Sequence, residues 1–181
     1  MNITVYLGSN EGKDPEFRKR TAELGDWIGK SGHTLVYGGA RWGLMGVLAD
    51  HVTEHGGRVV GVIPHFIADR GVTHPGITLL EYADTMSERK ARMLELGDAY
   101  IAMPGGPGTL EEIIEAISLA RLGQHKKPCM LYDINGYYAE LRSVFDKMIA
   151  YGFLKEQDMN CVRYVHDLDE VRAVLEEHSG Q

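Results

Sequence analysis

The 181-residue chain carries 19 lysines and arginines against 26 aspartates and glutamates, a net charge of -7 at neutral pH. That balance excludes a general binder of nucleic-acid polymers or of anionic membrane, because both need a positive face that displaces condensed counterions. A chain of this length buries roughly two thirds or more of its unfolded surface in one domain without a disulfide or metal staple, and the only cysteines, Cys129 and Cys161, each sit in an apolar run and read as reduced thiols.

The chain starts MNITVYLGSN, which has no basic lead and no long apolar core, and no later run approaches a membrane span. A cytoplasmic protein is expected. Ile3 to Leu7 is a short β-branched run ending at Gly8-Ser9-Asn10, a first strand and its turn. Asp14-Pro15 supplies an N-cap and first helical position, and Phe17, Leu24, Trp27 and Ile28 carry a helix that stops near Gly29 to Gly32. Thr34 to Tyr37 is a second strand, followed at once by the glycine loop Gly38 to Gly46, which opens a helix through Leu48 and Val52 to His55. Arg58 to Ile63, nearly continuous in valine and isoleucine, is a third strand of the kind buried on both faces of a parallel sheet.

Pro64 to Gly76 mixes prolines, glycines and charges and reads as a long loop. Thr78 to Tyr82 is a candidate strand, and Thr85 opens a helix to about Leu96 with Gly97 as its stop. Ala99 to Met103 is the next strand; it breaks into Pro104-Gly105-Gly106-Pro107-Gly108-Thr109, after which helical periodicity runs to about Leu122. Pro128 to Tyr132 is a further strand, Tyr137 to Tyr151 a helix after the Asn135-Gly136 turn, Val162 to Val165 a last strand and Leu168 to Leu175 a last helix. Strands alternating with helices define an α/β fold, a single doubly wound Rossmann-like domain over residues 1–181 with a mostly parallel sheet.

In such sheets ligands lie beyond the carboxyl ends of the strands, where strand order reverses. Turns at Gly8, Gly38-Gly39 and Gly105-Gly106 all leave strand carboxyl ends and are expected to line one crevice. The loop from Gly105 to Thr109 can aim backbone N–H groups at an anion on the positive end of a helix, although glycines also serve a plain tight turn. Neither G-x-G-x-x-G with a following acidic residue nor G-x-x-x-x-G-K-[ST] is present, so a mononucleotide or sugar phosphate fits better than NAD or ATP with magnesium.

Thr85-Met86-Ser87-Glu88 has the form of a capping box. With successive residues roughly 100° apart, Arg89 and Lys90 fall within the apolar arc of Met86, Met93, Leu94 and Leu96. Two cations there either snorkel to the rim, pairing with a carboxylate such as Glu81 or Asp84, or point into the crevice toward an anion and a carboxylate. Glu112 is that carboxylate, three residues after Thr109; read alone it is either a second capping-box glutamate or a shoulder group facing the crevice. A helix amino terminus and Arg89 would keep it ionised at neutral pH.

Pro104-Gly105-Gly106-Pro107-Gly108-Thr109-Leu110-Glu111-Glu112 follows the pattern PGGxGTxxE, and Ser87-Glu88-Arg89-Lys90 carries the matching ERK element. The chain resembles the LOG ("Lonely Guy") family of cytokinin riboside 5′-monophosphate phosphoribohydrolases, long labelled lysine decarboxylases. Gly8-Ser9, Tyr37-Gly38-Gly39, Gly43-Leu44-Met45-Gly46, Gly61-Val62-Ile63-Pro64 and Gly136-Tyr137-Tyr138 extend the likeness from Val5 to about Leu154.

The resemblance implies hydrolysis of the N-glycosidic bond of a nucleoside 5′-monophosphate, of the adenosine or cytokinin type, with Arg89 and Glu112 as the catalytic pair. It places substrate contacts at Gly8, Ser9, Gly39, Met86, Lys90, Gly105, Gly106, Gly108 and Thr109, asks for no cofactor and implies a homodimer. Arg89→Ala is expected to remove turnover while the fold survives, its partners lying in an open, wet crevice. Ser87 replaces a common histidine and Ala40 a common third glycine, which bears on substrate preference. No lysine shows the setting of a pyridoxal-phosphate Schiff base. A metal site is not expected either, since His51 and His55, at i, i+4 spacing, read as an exposed helix face. The rival reading is a non-catalytic nucleotide or molybdenum-cofactor carrier of similar fold.

Overall fold

A computed structural model describes residues 1–180. Seven strands, β1 (Asn2–Tyr6), β2 (Thr34–Tyr37), β3 (Arg58–Pro64), β4 (Leu79–Ala83), β5 (Ala99–Ala102), β6 (Cys129–Tyr132) and β7 (Val162–Val165), alternate with helices α1 (Pro15–Lys30), α2 (Gly43–Glu54), α3 (His65–Ala68), α4 (Met86–Leu96), α5 (Pro107–Arg121), α6 (Ala139–Ala150) and α7 (Leu168–Ser179). The strands form one sheet in the order β4-β3-β2-β1-β5-β6-β7, and every pairing is parallel. The expected doubly wound α/β fold is present, with an entirely parallel sheet.

Alternation along the strands distributes the core to two faces. Ile3 and Val5 of β1 pack with α1, α2 and α7 through Leu24, Ile28, Leu48, Val52, Val171 and Leu175. Tyr6, Val36 and Ala102 face the other layer, α4, α5 and α6, through Met93, Ile113, Ala116 and Phe145. Chain order reverses at β1: the chain runs outward through β2, β3 and β4, then returns to add β5 on the other side of β1. The switch point therefore lies between the carboxyl ends of β1 and β5.

The helix starts follow local chemistry. Asp14 accepts a hydrogen bond from the Glu16 N–H at 2.9 Å and Pro15 begins α1. In α4, Thr85 accepts from the Glu88 N–H at 3.1 Å while Glu88 accepts from the N–H groups of Asp84 and Thr85, so the capping box is complete. The long loop after β3 contains α3 and is tied across the second glycine loop: Arg41 N–H donates to the Val72 carbonyl at 2.9 Å, His74 N–H to that of Gly39 at 3.0 Å, and Ala40 bridges Thr73.

His51 is half-buried and His55 exposed, so the pair lies at the edge of the exposed face, where His51 Nδ1 and His55 Nε2 meet the same Asp26 oxygen, at 2.7 and 3.1 Å, across the α1–α2 contact. That contact is close because it is built on Gly25 and Gly29, where an added Cβ would stand 2.7 Å from the Cβ of His51 and 2.8 Å from the carbonyl oxygen of Val52. Burial raises the Asp26 pKa, but hydrogen bonds and charge from the two histidines more than offset it, leaving the carboxyl below its ordinary range. Among the described residues, no helix is long and apolar enough to cross a membrane.

Candidate active site

A cleft of about 660 Å³ opens at the β1–β5 switch point. Its floor is two strand ends joined by backbone: the Gly8 N–H donates to the Pro104 carbonyl at 3.1 Å, and the Gly8 carbonyl accepts from the Met45 N–H at 3.3 Å. The first turn of α2 presses against the same loop, and at Gly43, with φ at +62°, a Cβ would lie 2.2 Å from the carbonyl carbon of Ser9. Side chains there would push the loops apart.

The loop after β5 is equally constrained. A Cβ at Gly105 would stand 2.2 Å from Oγ1 of buried Thr109 and 2.9 Å from the Gly8 nitrogen. Gly106 is the N-cap of α5 and Pro107 its first residue; no side chain caps this terminus. The first-turn N–H groups are thus left for a ligand at the positive end of a 15-residue helix. Such a terminus can hold an anion without a cation of its own.

Arg89 reaches the cleft from α4 and Glu112 from α5. Each is only 6% exposed. The Arg89 Nε donates to the Val62 carbonyl at 3.1 Å, and its Nη1 donates to Glu112 Oε1 in a short, direct ion pair. Gly38 makes room, since a Cβ there would meet the guanidinium at 2.5 Å. Glu112 does not act as a cap. Burial pushes its carboxyl above the ordinary range against the opposing pull of Arg89, and nearby Glu111 adds to the rise. Burial thus works against the ionised form that Arg89 and the helix terminus favour. The expectation of an open, wet setting for Arg89 is corrected by its own burial.

Gly8, Ser9, Met86, Gly105, Gly106, Gly108 and Thr109 all line the cleft with Arg89 and Glu112. Gly39 and Lys90 do not. Gly38 lines it instead, while Gly39, at φ +77°, packs against Leu80 and Ile63. The Lys90 ammonium lies 2.7 Å from Glu111 Oε1 and 3.0 Å from Glu115 Oε2, and these carboxylates hold its pKa above the ordinary lysine value. The apolar arc that seemed to aim both cations at the crevice aims only Arg89 there. Neither Glu81 nor Asp84 takes them: Glu81 pairs with Arg92 at 2.7 Å.

Several lining groups were not singled out from sequence. Phe17, Trp42, Met45, Ile67 and Val72 give the cleft an apolar side. Tyr137 sits in the lining and its hydroxyl donates to the Gly105 carbonyl. Ala40 lines the mouth, whereas Ser87 is exposed and outside it. No lysine is among the lining residues, so the cleft does not fit a pyridoxal-phosphate Schiff base.

A Rossmann-like α/β sheet with a glycine-walled cleft at its switch point, an open helix terminus and a buried arginine–carboxylate pair is the architecture of an enzyme cleft. Molybdenum cofactor carrier protein from Chlamydomonas reinhardtii shares this fold at a TM-score of 0.77 and 21% identity, over 99% of this chain and 98% of that one. A family model described as "Possible lysine decarboxylase" matches residues 45–175. The protein named cytokinin riboside 5′-monophosphate phosphoribohydrolase in Rhodococcoides fascians is 41% identical over 175 residues, 96% of this chain and 88% of that protein. The rice protein (Oryza sativa subsp. japonica) named cytokinin riboside 5′-monophosphate phosphoribohydrolase LOG is 39% identical, over 97% of this chain and 73% of its own length. The chain belongs to the LOG family.

Proposed function

We propose that the protein hydrolyses the N-glycosidic bond of nucleoside 5′-monophosphates, of the adenosine or cytokinin-riboside type, to free base and ribose 5-phosphate. The observation that carries this reading is the buried Arg89–Glu112 pair beside the uncapped terminus of α5. A binding protein needs the anion cradle but has no use for a carboxyl held at the cost of burial. The names of the relatives support the same reading over that of a carrier.

The 5′-phosphate rests on the N–H groups of the Gly105–Thr109 loop, and the base lies toward Phe17, Trp42, Met45, Ile67 and Val72. Departure of the base leaves positive charge on the ribose, and the Glu112 carboxylate stabilises that oxocarbenium-like centre. A water entering the cleft adds at C1′ to give ribose 5-phosphate, its proton balancing that taken up by the departing base. Arg89 fixes the carboxylate through Nη1 while its own Nε is held by Val62. Binding energy from the phosphate, remote from the reacting bond, serves positioning, so a nucleoside lacking phosphate loses turnover as well as affinity. The reaction requires no cofactor.

The protein acts as a homodimer in the cytoplasm, where buried Cys129, its thiol pushed upward by burial, stays reduced. Light scattering that returned the mass of one chain would exclude the dimer. For the reaction itself, purified protein is incubated with AMP and with isopentenyl-AMP and free base is assayed. Base release above the Glu112→Gln control is expected from at least one; release from neither refutes the hydrolase, and nucleotide retained by such an inert protein points to a carrier.

A further inference from the structure

Two adjacent tyrosines grip the chain that leaves β5. The buried Tyr138 hydroxyl donates to the Met103 carbonyl at 2.7 Å. The Tyr137 hydroxyl donates to the Gly105 carbonyl from within the cleft lining. The two rings are held edge to face, with centroids 5.0 Å apart, and Tyr137 also meets the edge of Phe17 at 5.6 Å. Their segment is set by Asn135, which takes a left-handed φ of 52° and donates from Nδ2 to Asp14 Oδ2 at 2.9 Å. Support therefore runs from the start of α1, through Asn135 and the tyrosines, to one carbonyl of the anion cradle.

That carbonyl belongs to the Gly105–Gly106 peptide. In a trans peptide the carbonyl of one residue and the N–H of the next point in opposite directions. Fixing the Gly105 oxygen thus fixes the direction of the Gly106 N–H at the N-cap of α5. A peptide between two glycines has no Cβ on either side to resist turning over, and around Gly106 there is open space, with nothing within 4 Å of an added Cβ. Turned over, it would put a carbonyl oxygen where the N–H had been, and an oxygen repels an anion.

We propose that Tyr137 is a positioning residue for the substrate phosphate: its hydroxyl locks the Gly105–Gly106 peptide in the orientation that keeps the α5 cradle a donor. This rests on the reading that the cradle holds a phosphate. Tyr137 acts through Gly105 and not on the reacting bond, and Tyr138 serves packing of the strand end.

The test uses the full chain with Tyr137→Phe and Tyr138→Phe, both of which keep the rings. Ribose 5-phosphate is titrated by calorimetry and AMP hydrolysis is followed at steady state. Loss of one neutral hydrogen bond predicts that Tyr137→Phe weakens ribose 5-phosphate about twofold to tenfold. KM for AMP rises and kcat falls with it, so that kcat/KM drops by at least the same factor, because the phosphate grip serves positioning as well as affinity. Tyr138→Phe is expected to lower Tm and leave ribose 5-phosphate affinity unchanged. Equal affinity for ribose 5-phosphate in Tyr137→Phe and wild type overturns the lock, as does a fall in kcat with KM unchanged. If wild type hydrolyses AMP while that equality holds, only the lock is lost. If wild type releases no base but Tyr137→Phe still weakens ribose 5-phosphate, the lock stands and the hydrolase does not.

Discussion

Replacing Arg89 by alanine removes more than the catalytic group proposed for it. Arg89 and Glu112 are each 6% exposed, and the guanidinium also satisfies the Val62 carbonyl. Breaking a buried pair by deleting one partner costs about 3–5 kcal/mol, a large part of the ~5–15 kcal/mol that holds a typical domain folded. For a chain of this size the loss corresponds to a drop in Tm of roughly 6–20 °C. The cost also depends on pH in a defined direction. Burial already raises the Glu112 pKa and Arg89 is the main force lowering it, so the variant carries a carboxyl raised further. A carboxyl with a folded pKa above its unfolded value contributes stability that is whole below the unfolded pKa, about 4.3 for glutamate, and is lost as pH rises through the folded pKa. The gap between wild type and Arg89→Ala should therefore be small near pH 5 and widen toward pH 8. Thermal unfolding of both proteins at the two pH values, with free base assayed from AMP, measures it. A variant within about 1 kcal/mol of wild type at pH 8, or a gap that does not change with pH, would refute the buried pair as described.

Three other outcomes follow from the geometry. Because the Glu112 pKa is raised, base release should climb with pH through a midpoint above the ordinary carboxylate range, and Glu112→Gln, near-isosteric, should remove turnover with the protein still folded; a pH–rate profile and circular dichroism check both. Gly105→Ala, whose new methyl would lie 2.2 Å from Thr109 Oγ1, should lower stability by about 1–3 kcal/mol and weaken ribose 5-phosphate in titrations. Lys90→Ala should leave KM for AMP unchanged, since Lys90 is not in the cleft lining and its ammonium is held by Glu111 and Glu115, and should cost only about 1 kcal/mol or less in denaturant unfolding; a large rise in KM would return Lys90 to the substrate.

The fold was legible because its signals are local. Valine and isoleucine runs mark strands buried on both faces, Asp14-Pro15 and Thr85 to Glu88 mark helix starts, and glycines at Gly8, Gly38 and Gly105 mark carboxyl-end turns that do meet in one cleft. What escaped depends on neighbours that no single helix wheel contains. Lys90 shares its arc with Arg89, but the face of α5 beside it presents Glu111 and Glu115, so the two cations part company. That His51 and His55 share Asp26 was hidden because Asp26 lies on α1. Tyr137 was visible as part of a family pattern, yet its bond to Gly105 spans 32 positions and leaves no periodic trace.

The switch point also sets the order in which the molecule can become competent. β1 precedes the other six strands in chain order, yet one of its two neighbours, β5, follows only after β2, β3 and β4. A chain emerging from its amino end can assemble the outer half of the sheet and show much of its helix and strand signal while one wall of the cleft is still absent. The glycine loop and Glu112 arrive together just after β5, in the same stretch that supplies the missing wall. Distant parallel pairings of this kind close slowly. Recovery of ligand binding during refolding should consequently trail recovery of secondary structure, and competence in this chain reports assembly finished, not begun.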